Sequence, residues 1–224
     1  MVEIIGYHGT NKKRGKDILN NNKMKLSFGD RHWLGDGSYF YEEDFFAYKW
    51  IVDMYYKSFS KNPREEELKE EYSIIKAIIK IEKNRIFDLD TLEHRMLYDI
   101  TYKKIKQKKE YSQKFKSRLL VEGVVINYLF NIFDYGKDYD VVYATFVINK
   151  NNYKEIYTKI GYVCQKQLCI KNLDVIKDLK EYDYTNKLAT FYRIKDILFI
   201  ENTSLPMSYI PKKRGINNGI MYKI

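Results

Sequence analysis

In the first part of the chain, short apolar segments are separated by turns. Residues 2–8 are predicted to form a strand, and Asn11 is suited to cap a helix that runs to about Asn20. Residues 33–41 pass from a glycine turn into an aromatic run, which predicts a turn followed by a strand. After Asp44 the apolar residues recur at helical spacing, so an amphipathic helix is expected there.

The remainder of the chain combines further strands with one long helical block. Residues 60–71 are charged and indicate a loop or a solvated helix, whereas residues 92–133 are predicted to be mainly helical. Further strands are predicted at residues 73–82 (half-buried), 141–148, 167–171 and 194–201. The unequal spacing of these elements favours an α+β fold over a doubly wound sheet.

Composition restricts the class of protein. A chain of 224 residues with 45% hydrophobic and 31% charged residues has the size and composition of one globular domain. Cys164 and Cys169 are too few for a disulfide scaffold and lack the spacing of metal ligands, so we expect a reducing cytoplasm and no metal. The first residues are not expected to act as a signal peptide, because no basic segment precedes the apolar start, and no apolar run is long enough to span a membrane.

The charge of the chain suggests a class of partner. The formal net charge of +10 favours nucleic acid or another anionic surface, although a solvated lysine face has the same composition. The densest basic run begins within the helical block and continues to Arg118. As candidate phosphate contacts we take Lys103, Lys104, Lys106, Lys108 and Lys109. A solvated helix face explains this run equally well.

Three short segments carry residues suited to chemistry. The first is Tyr7-His8-Gly9-Thr10, at the end of the first strand. The second is the glycine turn and aromatic run of residues 33–40, followed by a helix that contains Ala47 and Trp50. The third is residues 165–170, on a late strand. Each pattern alone is common, and the chain has neither a Gly-x-Gly-x-x-Gly turn nor a Walker lysine loop.

In this order, the three segments resemble the ADP-ribosyltransferases of the diphtheria-toxin and poly(ADP-ribose) polymerase branch. Those enzymes carry a His on the first strand, a Tyr on a later strand and a Glu on a late strand. The resemblance implies an α+β fold with a split antiparallel sheet around a cleft for NAD, the co-substrate. It implies a catalytic domain at residues 1–200 with a helical insertion at about 92–134, and a basic tail at 201–224.

The same resemblance implies roles for individual residues. His8 would donate a hydrogen bond to a ribose hydroxyl of NAD, and Tyr39 would stack on the nicotinamide ring. The backbone of Gly9 would pair with the carboxamide, which a side chain there would block, and Thr10 would contact the same end. The opposite wall would be Tyr48 or Trp50, and the helix register leaves both open.

The late strand departs from the family pattern, because it offers Gln167 where the family has Glu. A unit charge about 4 Å away is worth about 4 kcal/mol at an effective dielectric constant of about 20. Its loss would slow the reaction by about three orders of magnitude. Three explanations stay open: catalysis with Gln167, another carboxylate such as Glu201 or Glu122, or an NAD-binding pseudoenzyme. Gln165, on the same face, would lie near the acceptor.

The function expected from the resemblance is mono-ADP-ribosyl transfer from NAD to a macromolecular acceptor, either RNA, DNA or protein. Small enzymes of this type are commonly toxins or anti-phage effectors, so an antitoxin or other neutralising protein partner is expected by analogy. The alternatives are a non-catalytic NAD-binding module, a basic RNA-binding protein and an NAD-dependent RNA 2′-phosphotransferase. The last would need several arginines near the motifs, and the chain has few there.

Overall fold

The computed structural model describes residues 1–29, 32–107, 121–147 and 164–199. Seven strands in this part of the chain form one sheet. The strands are β1 (Val2–Asn11), β2 (Ser38–Tyr41), β3 (Tyr72–Ile81), β4 (Ile86–Asp88), β5 (Val141–Val147), β6 (Cys164–Ile170) and β7 (Ile176–Glu181). The α-helices are α1 (Lys12–Asn21), α2 (Asp44–Phe59), α3 (Glu65–Glu71), α4 (Leu92–Gln107), α5 (Val121–Ile132) and α6 (Leu188–Phe199).

The strand order is β4-β5-β6-β2-β1-β3-β7. The mixed α/β architecture confirms the expected combination of strands and unequal helices, but the sheet is not wholly antiparallel because β4 and β5 run parallel. β1 pairs with β3 along its full length, from Val2 opposite Ile81 to Asn11 opposite Tyr72. By contrast, β1 and β2 are in register at a single pair, Tyr7 and Tyr41. The sheet is therefore weakly joined between β2 and β1.

Local sequence explains the first elements. The Asn11 side chain accepts a hydrogen bond of 2.8 Å from the Arg14 backbone N–H, which caps α1 as expected. α2 begins at Asp44, and its carboxylate is favourable at a helix N-terminus. The sequence indicated either a loop or a solvated helix at residues 60–71. The structure has helix α3 at residues 65–71, and the first turn of this helix is entirely acidic.

Helices cover the sheet over three hydrophobic clusters, and the one beneath α1 extends across both halves of the sheet. α1 packs over a cluster centred on the fully buried Phe40, Ile75 and Leu168. Each such side chain contributes about 1.5–3 kcal/mol by leaving water. α2 and α3 cover β1 and β3, whereas the expected helical block, α4 and α5, packs on the half that contains β4 and β5.

Three expectations for the strands were wrong or incomplete. The predicted strand at 194–201 is, as far as it is described, part of helix α6, because Leu188, Phe191 and Ile194 follow helical spacing. The short apolar run at its end is compatible with either structure. β7 was missed because its sequence, Ile-Lys-Asp-Leu-Lys-Glu, is largely charged, as suits an edge strand. β3 is more deeply buried than expected, because it is flanked by β1 and β7.

No helix in the described ranges is both long and apolar enough to cross a lipid bilayer. The expected basic tail, residues 201–224, lies outside the described residues.

Candidate functional site

A cavity of about 940 Å³ opens beside the weak junction between β1 and β2. Its walls come from segments that are far apart in the sequence: the end of β1, α1, the loop before β2, β2 itself, α2 and β6. The predicted site residues that line it are His8, Gly9, Thr10, Tyr39, Trp50, Gln165 and Gln167. The structure thus brings all three sequence segments to one cavity.

The side chain of His8 spans the junction where the backbone pairing of β1 and β2 ends. His8 Nδ1 lies 2.7 Å from the carbonyl oxygen of Tyr39. A carbonyl oxygen only accepts, so Nδ1 donates the hydrogen and the neutral ring keeps Nε2 as an acceptor. A ribose hydroxyl that meets Nε2 must therefore donate, which reverses the hydrogen-bond direction expected for His8.

Burial lowers the pKa of His8 below its ordinary value of 6.5. The hydrogen bond to the Tyr39 carbonyl opposes this shift, and the positive charge of Arg14 adds to it. The imidazole is therefore neutral at neutral pH, with its protonated nitrogen defined by Tyr39.

Gly9 allows α2 to approach β1 closely. A Cβ atom at this position would lie 2.9 Å from the carbonyl oxygen of Ala47 and 2.9 Å from Cε3 of Trp50. The tight contact therefore requires glycine, and it leaves the indole of Trp50 against the strand backbone at the cavity wall. Thr10, which is buried, follows on the same wall.

Of the two candidates for the opposite wall, Trp50 lines the cavity and Tyr48 does not. Tyr48 lies on another face of α2, buried against Tyr184 and Phe191, with ring centroids 5.4 Å and 5.2 Å away. It borders a separate pocket of about 250 Å³ beside α6. The helix register that the sequence left open is decided by this packing.

Tyr39 fastens the loop before β2 to the cavity wall. Its hydroxyl donates to the Gly35 carbonyl at 2.5 Å and accepts from the Leu34 backbone N–H at 2.9 Å. Burial raises the pKa of Tyr39, so the hydroxyl stays protonated. Because both hydrogen bonds use the hydroxyl, the ring is held in a fixed orientation at the cavity.

Lys171 and Cys169 support the same loop from β6 and the turn after it. Lys171 Nζ donates to the carbonyl oxygens of Leu34 at 2.8 Å and Asp36 at 2.5 Å. Burial lowers the pKa of Lys171 and raises the pKa of the Cys169 thiol. These hydrogen bonds satisfy loop carbonyls that burial would otherwise leave without partners.

The helical block also contacts this loop, which the sequence did not reveal. Asn127 Oδ1 accepts a hydrogen bond of 2.7 Å from the Asp36 backbone N–H. A Cβ atom on Gly123 would lie 1.7 Å from the His32 carbonyl oxygen, so α5 and the loop touch through their backbones. The expected insertion therefore forms part of the support of the cavity.

Gln165 and Gln167 project from one face of β6, and both are buried. Gln167 lies opposite Tyr41 on β2 and opposite Ala144 on β5. Burial raises the pKa of Tyr41 to about 12, and its side chain is hydrogen-bonded to Gln165. The two glutamines thus present neutral amides to the cavity beside a protonated tyrosine.

Sequence reasoning missed the carboxylates that line the cavity. These are Asp17 on α1 and Asp53 on α2, each beside a lysine: Lys25 at 2.8 Å and Lys49 at 2.5 Å. The spacing of Lys49 and Asp53, four residues apart on a helix that also carries Trp50, was the available signal.

The two carboxylates proposed from the sequence are placed differently. Glu122 is exposed near the start of α5 and is not among the residues that line the cavity. Glu201 lies outside the described residues.

The predicted acceptor-binding lysines do not reach the cavity where the structure describes them. Lys103, Lys104 and Lys106 are exposed on α4, and none of them lines the cavity. Lys104 and Lys106 lie over the rings of Phe133 and Tyr102, at 5.9 Å and 5.8 Å. Lys108 and Lys109 lie outside the described residues.

The chain is 40% identical over 204 residues to a protein of Methanocaldococcus jannaschii described as uncharacterized protein MJ0359. The similarity covers 85% of this chain and 92% of the archaeal protein. The chain belongs to the same protein family as MJ0359. No protein-family model matches the chain, and no solved structure matches it significantly.

Proposed function

We propose that the protein binds NAD in the cavity beside β1 and β2 and transfers ADP-ribose to a macromolecular acceptor. The observation that carries this proposal is the convergence of three segments on one cavity: His8 from the first, Tyr39 from the second and Gln167 from the third. Their order and residue types resemble the ADP-ribosyltransferases, and they converge although they are far apart in the sequence.

The arrangement of the sheet supports the same proposal. The junction at Tyr7 and Tyr41 leaves β1, β3 and β7 on one side and the other four strands on the other. This division is similar to the split sheet of the ADP-ribosyltransferases, in which NAD lies between the two halves. The cavity opens beside this junction, which supports the proposal of an NAD site there.

The aromatic walls fit a planar nicotinamide ring. Trp50 and Tyr39 both line the cavity, and each ring is fixed by its surroundings: Trp50 against Gly9, Tyr39 through its hydroxyl. Rigid aromatic walls bind a planar ring at low cost in side-chain entropy. Nε2 of the neutral His8 is available to accept from a ribose hydroxyl.

In the proposed reaction, the bond between C1′ of the ribose and N1 of nicotinamide breaks. Its electron pair leaves with nicotinamide, which becomes neutral, and the ribose acquires oxocarbenium character. A lone pair of the acceptor nucleophile then forms the new bond to C1′, and the proton of that nucleophile passes to water. Fixed negative charge or aligned dipoles near C1′ stabilise the cationic transition state.

Gln167 supplies a dipole to this transition state but no charge. Asp53 is the carboxylate that best fits the missing role, because it lines the cavity on the same helix as Trp50 and its charge acts on Tyr41, the strand partner of Gln167. Lys49 pairs with Asp53 and weakens its field. We therefore propose a slow transferase in which Asp53 and Gln167 share the role of the family's Glu.

A labelled-NAD experiment tests the proposed function. The purified protein is incubated with NAD labelled in the adenylate part, with separate pools of RNA, DNA and protein. We expect label in a macromolecular pool, and a rise in melting temperature with NAD alone. Trp50→Ala should remove both, whereas Tyr56→Ala, an exposed position on the same helix, should retain both.

If NAD binds but no label enters any pool, the protein is a non-catalytic NAD-binding protein. That result would contradict the proposed transferase activity. The substitution of Gln for Glu at position 167 is the observation that favours this second candidate. Absence of both binding and transfer in a folded protein would contradict the NAD site itself.

A further inference from the structure

We propose that the aromatic pair Trp33 and Phe146 forms a stacking platform for a base of single-stranded nucleic acid, the acceptor. This inference rests on the proposed function, because it assigns the acceptor to the same cavity. The aromatic pair takes the place of the α4 lysines as the predicted acceptor-binding surface, because the described lysines do not line the cavity.

The first step in the argument is an unbroken path from Gln165 to Trp33. Gln165 lies opposite Phe146 in the register of β5 and β6, so their side chains are on the same face. The ring of Phe146 contacts that of Trp33, with centroids 4.7 Å apart and planes inclined at 56°. Trp33 in turn lines the cavity together with Gln165. The aromatic pair therefore adjoins the end of the cavity at which Gln165 lies.

The second step is exposure. Trp33 is 37% exposed, and Phe28, which also lines the cavity, is 72% exposed. Both belong to a loop closed by backbone hydrogen bonds between Ser27 and Gly37, of 3.0 Å and 2.9 Å. Exposed aromatic side chains that line the same cavity are more informative than scattered ones, and they are consistent with a binding surface.

The backbone that follows Trp33 is held in place, so this side of the surface is formed before a ligand arrives. Tyr39, Lys171 and Asn127 all hydrogen-bond to the backbone between Leu34 and Asp36, immediately after Trp33. An aromatic surface that is ordered in advance loses little entropy on binding.

The third step concerns the chemistry of the occupant. Lys25 and Lys49 line the cavity in ion pairs with Asp17 and Asp53, so Arg14 gives the cavity lining a surplus of one positive charge, and the chain carries +10 overall. Aromatic stacking beside positive charge is the usual means of binding single strands, whose bases are free to leave the stack. The Gln165 amide both donates and accepts hydrogen bonds, which suits the edge of a base.

The two tryptophans of the chain, Trp33 and Trp50, allow the two parts of the cavity to be measured separately. Trp50→Phe leaves Trp33 as the fluorophore, and Trp33→Phe leaves Trp50. Each variant is titrated with single-stranded oligoadenylate and, separately, with NAD. We expect oligoadenylate to quench Trp33 saturably and NAD to quench Trp50.

Affinity for oligoadenylate gives the second measurement. Trp33→Ala should lower it about 5- to 100-fold, as expected for the loss of one stacked base, and Trp33→Tyr should retain most of it. Phe133→Ala, an exposed aromatic that does not line the cavity, should leave it unchanged. The retained binding of Trp33→Tyr also shows that the loop is intact.

Equal affinities in Trp33→Ala and Phe133→Ala would overturn the platform. Label that enters only the protein pool, with no quenching of Trp33 by oligoadenylate, would also overturn it and indicate a protein acceptor. Quenching of Trp33 by oligoadenylate without any response of either tryptophan to NAD would support the platform while contradicting the proposed NAD site.

Discussion

The His8 side chain donates a hydrogen bond from Nδ1 to the backbone carbonyl oxygen of Tyr39, at 2.7 Å, across the junction of β1 and β2. One strand pair away, at Tyr7 and Tyr41, the two strands are still in register. The hydrogen bond thus continues the connection between the two halves of the sheet where the backbones separate. It also couples the protonation state of His8 to the geometry of the cavity.

This coupling predicts a pH dependence for His8. Its pKa in the folded protein lies below 6.5, so the unfolded chain binds more protons as the pH falls below that value, and folding stability is lost there. The contribution is fully present above about 6.5. We expect His8→Asn to lose less stability than wild type between neutral and mildly acidic pH, measured by urea unfolding. Parallel losses in both proteins would contradict the lowered pKa.

Gly9→Ala should destabilise the fold by about 1–3 kcal/mol, because its Cβ would overlap the Ala47 carbonyl oxygen and the Trp50 ring. Urea denaturation measures the change. Gly136→Ala is the matched control, since the atoms nearest to its Cβ lie 3.3 Å and 3.8 Å away, and a smaller loss is expected. Equal losses of stability at the two positions would show that the close contact between α2 and Gly9 does not require glycine.

Asn127→Ala should weaken NAD binding although the residue does not line the cavity. The variant removes the hydrogen bond to the Asp36 N–H and leaves that group without its partner, at a cost of about 1–3 kcal/mol. Asn131→Ala, an exposed asparagine on the same helix, serves as the control. Calorimetric titration measures the affinity of both variants for NAD. Indistinguishable affinities would contradict the prediction that α5 supports the cavity through Asn127.

Gln167→Glu restores the charge that the resemblance predicts. If the transition state is cationic, NAD turnover should rise by up to about a thousandfold. The rate of nicotinamide release measures NAD turnover. Gln107→Glu, at an exposed position of α4, is the control. A fall in turnover would instead show that the amide group itself is required.

Asp53→Asn tests the carboxylate on α2. Loss of its charge should lower the rate of nicotinamide release at least about tenfold, and the loss should be smaller when Gln167→Glu is present, since both act on the same charge. Asp99→Asn, exposed on α4, should leave the rate unchanged. Independent, additive effects of the two cavity substitutions would separate Asp53 from the role of Gln167.

The sequence by itself determined those elements that depend on neighbours along the chain. The cap at Asn11, the glycine turn before Tyr39 and the apolar spacing after Asp44 each act within a few residues, so local propensity was sufficient. The three segments could also be recognised, because their residue types and order are visible without a structure.

Tertiary structure decided everything that depends on distant partners. Whether Trp50 or Tyr48 faces the cavity depends on which side of α2 meets Gly9, and this packing has no local signature. Asp53 reaches the cavity, and the α4 lysines do not, for the same reason. Helical spacing shows which residues share a face, but only the contacts between elements show what that face meets.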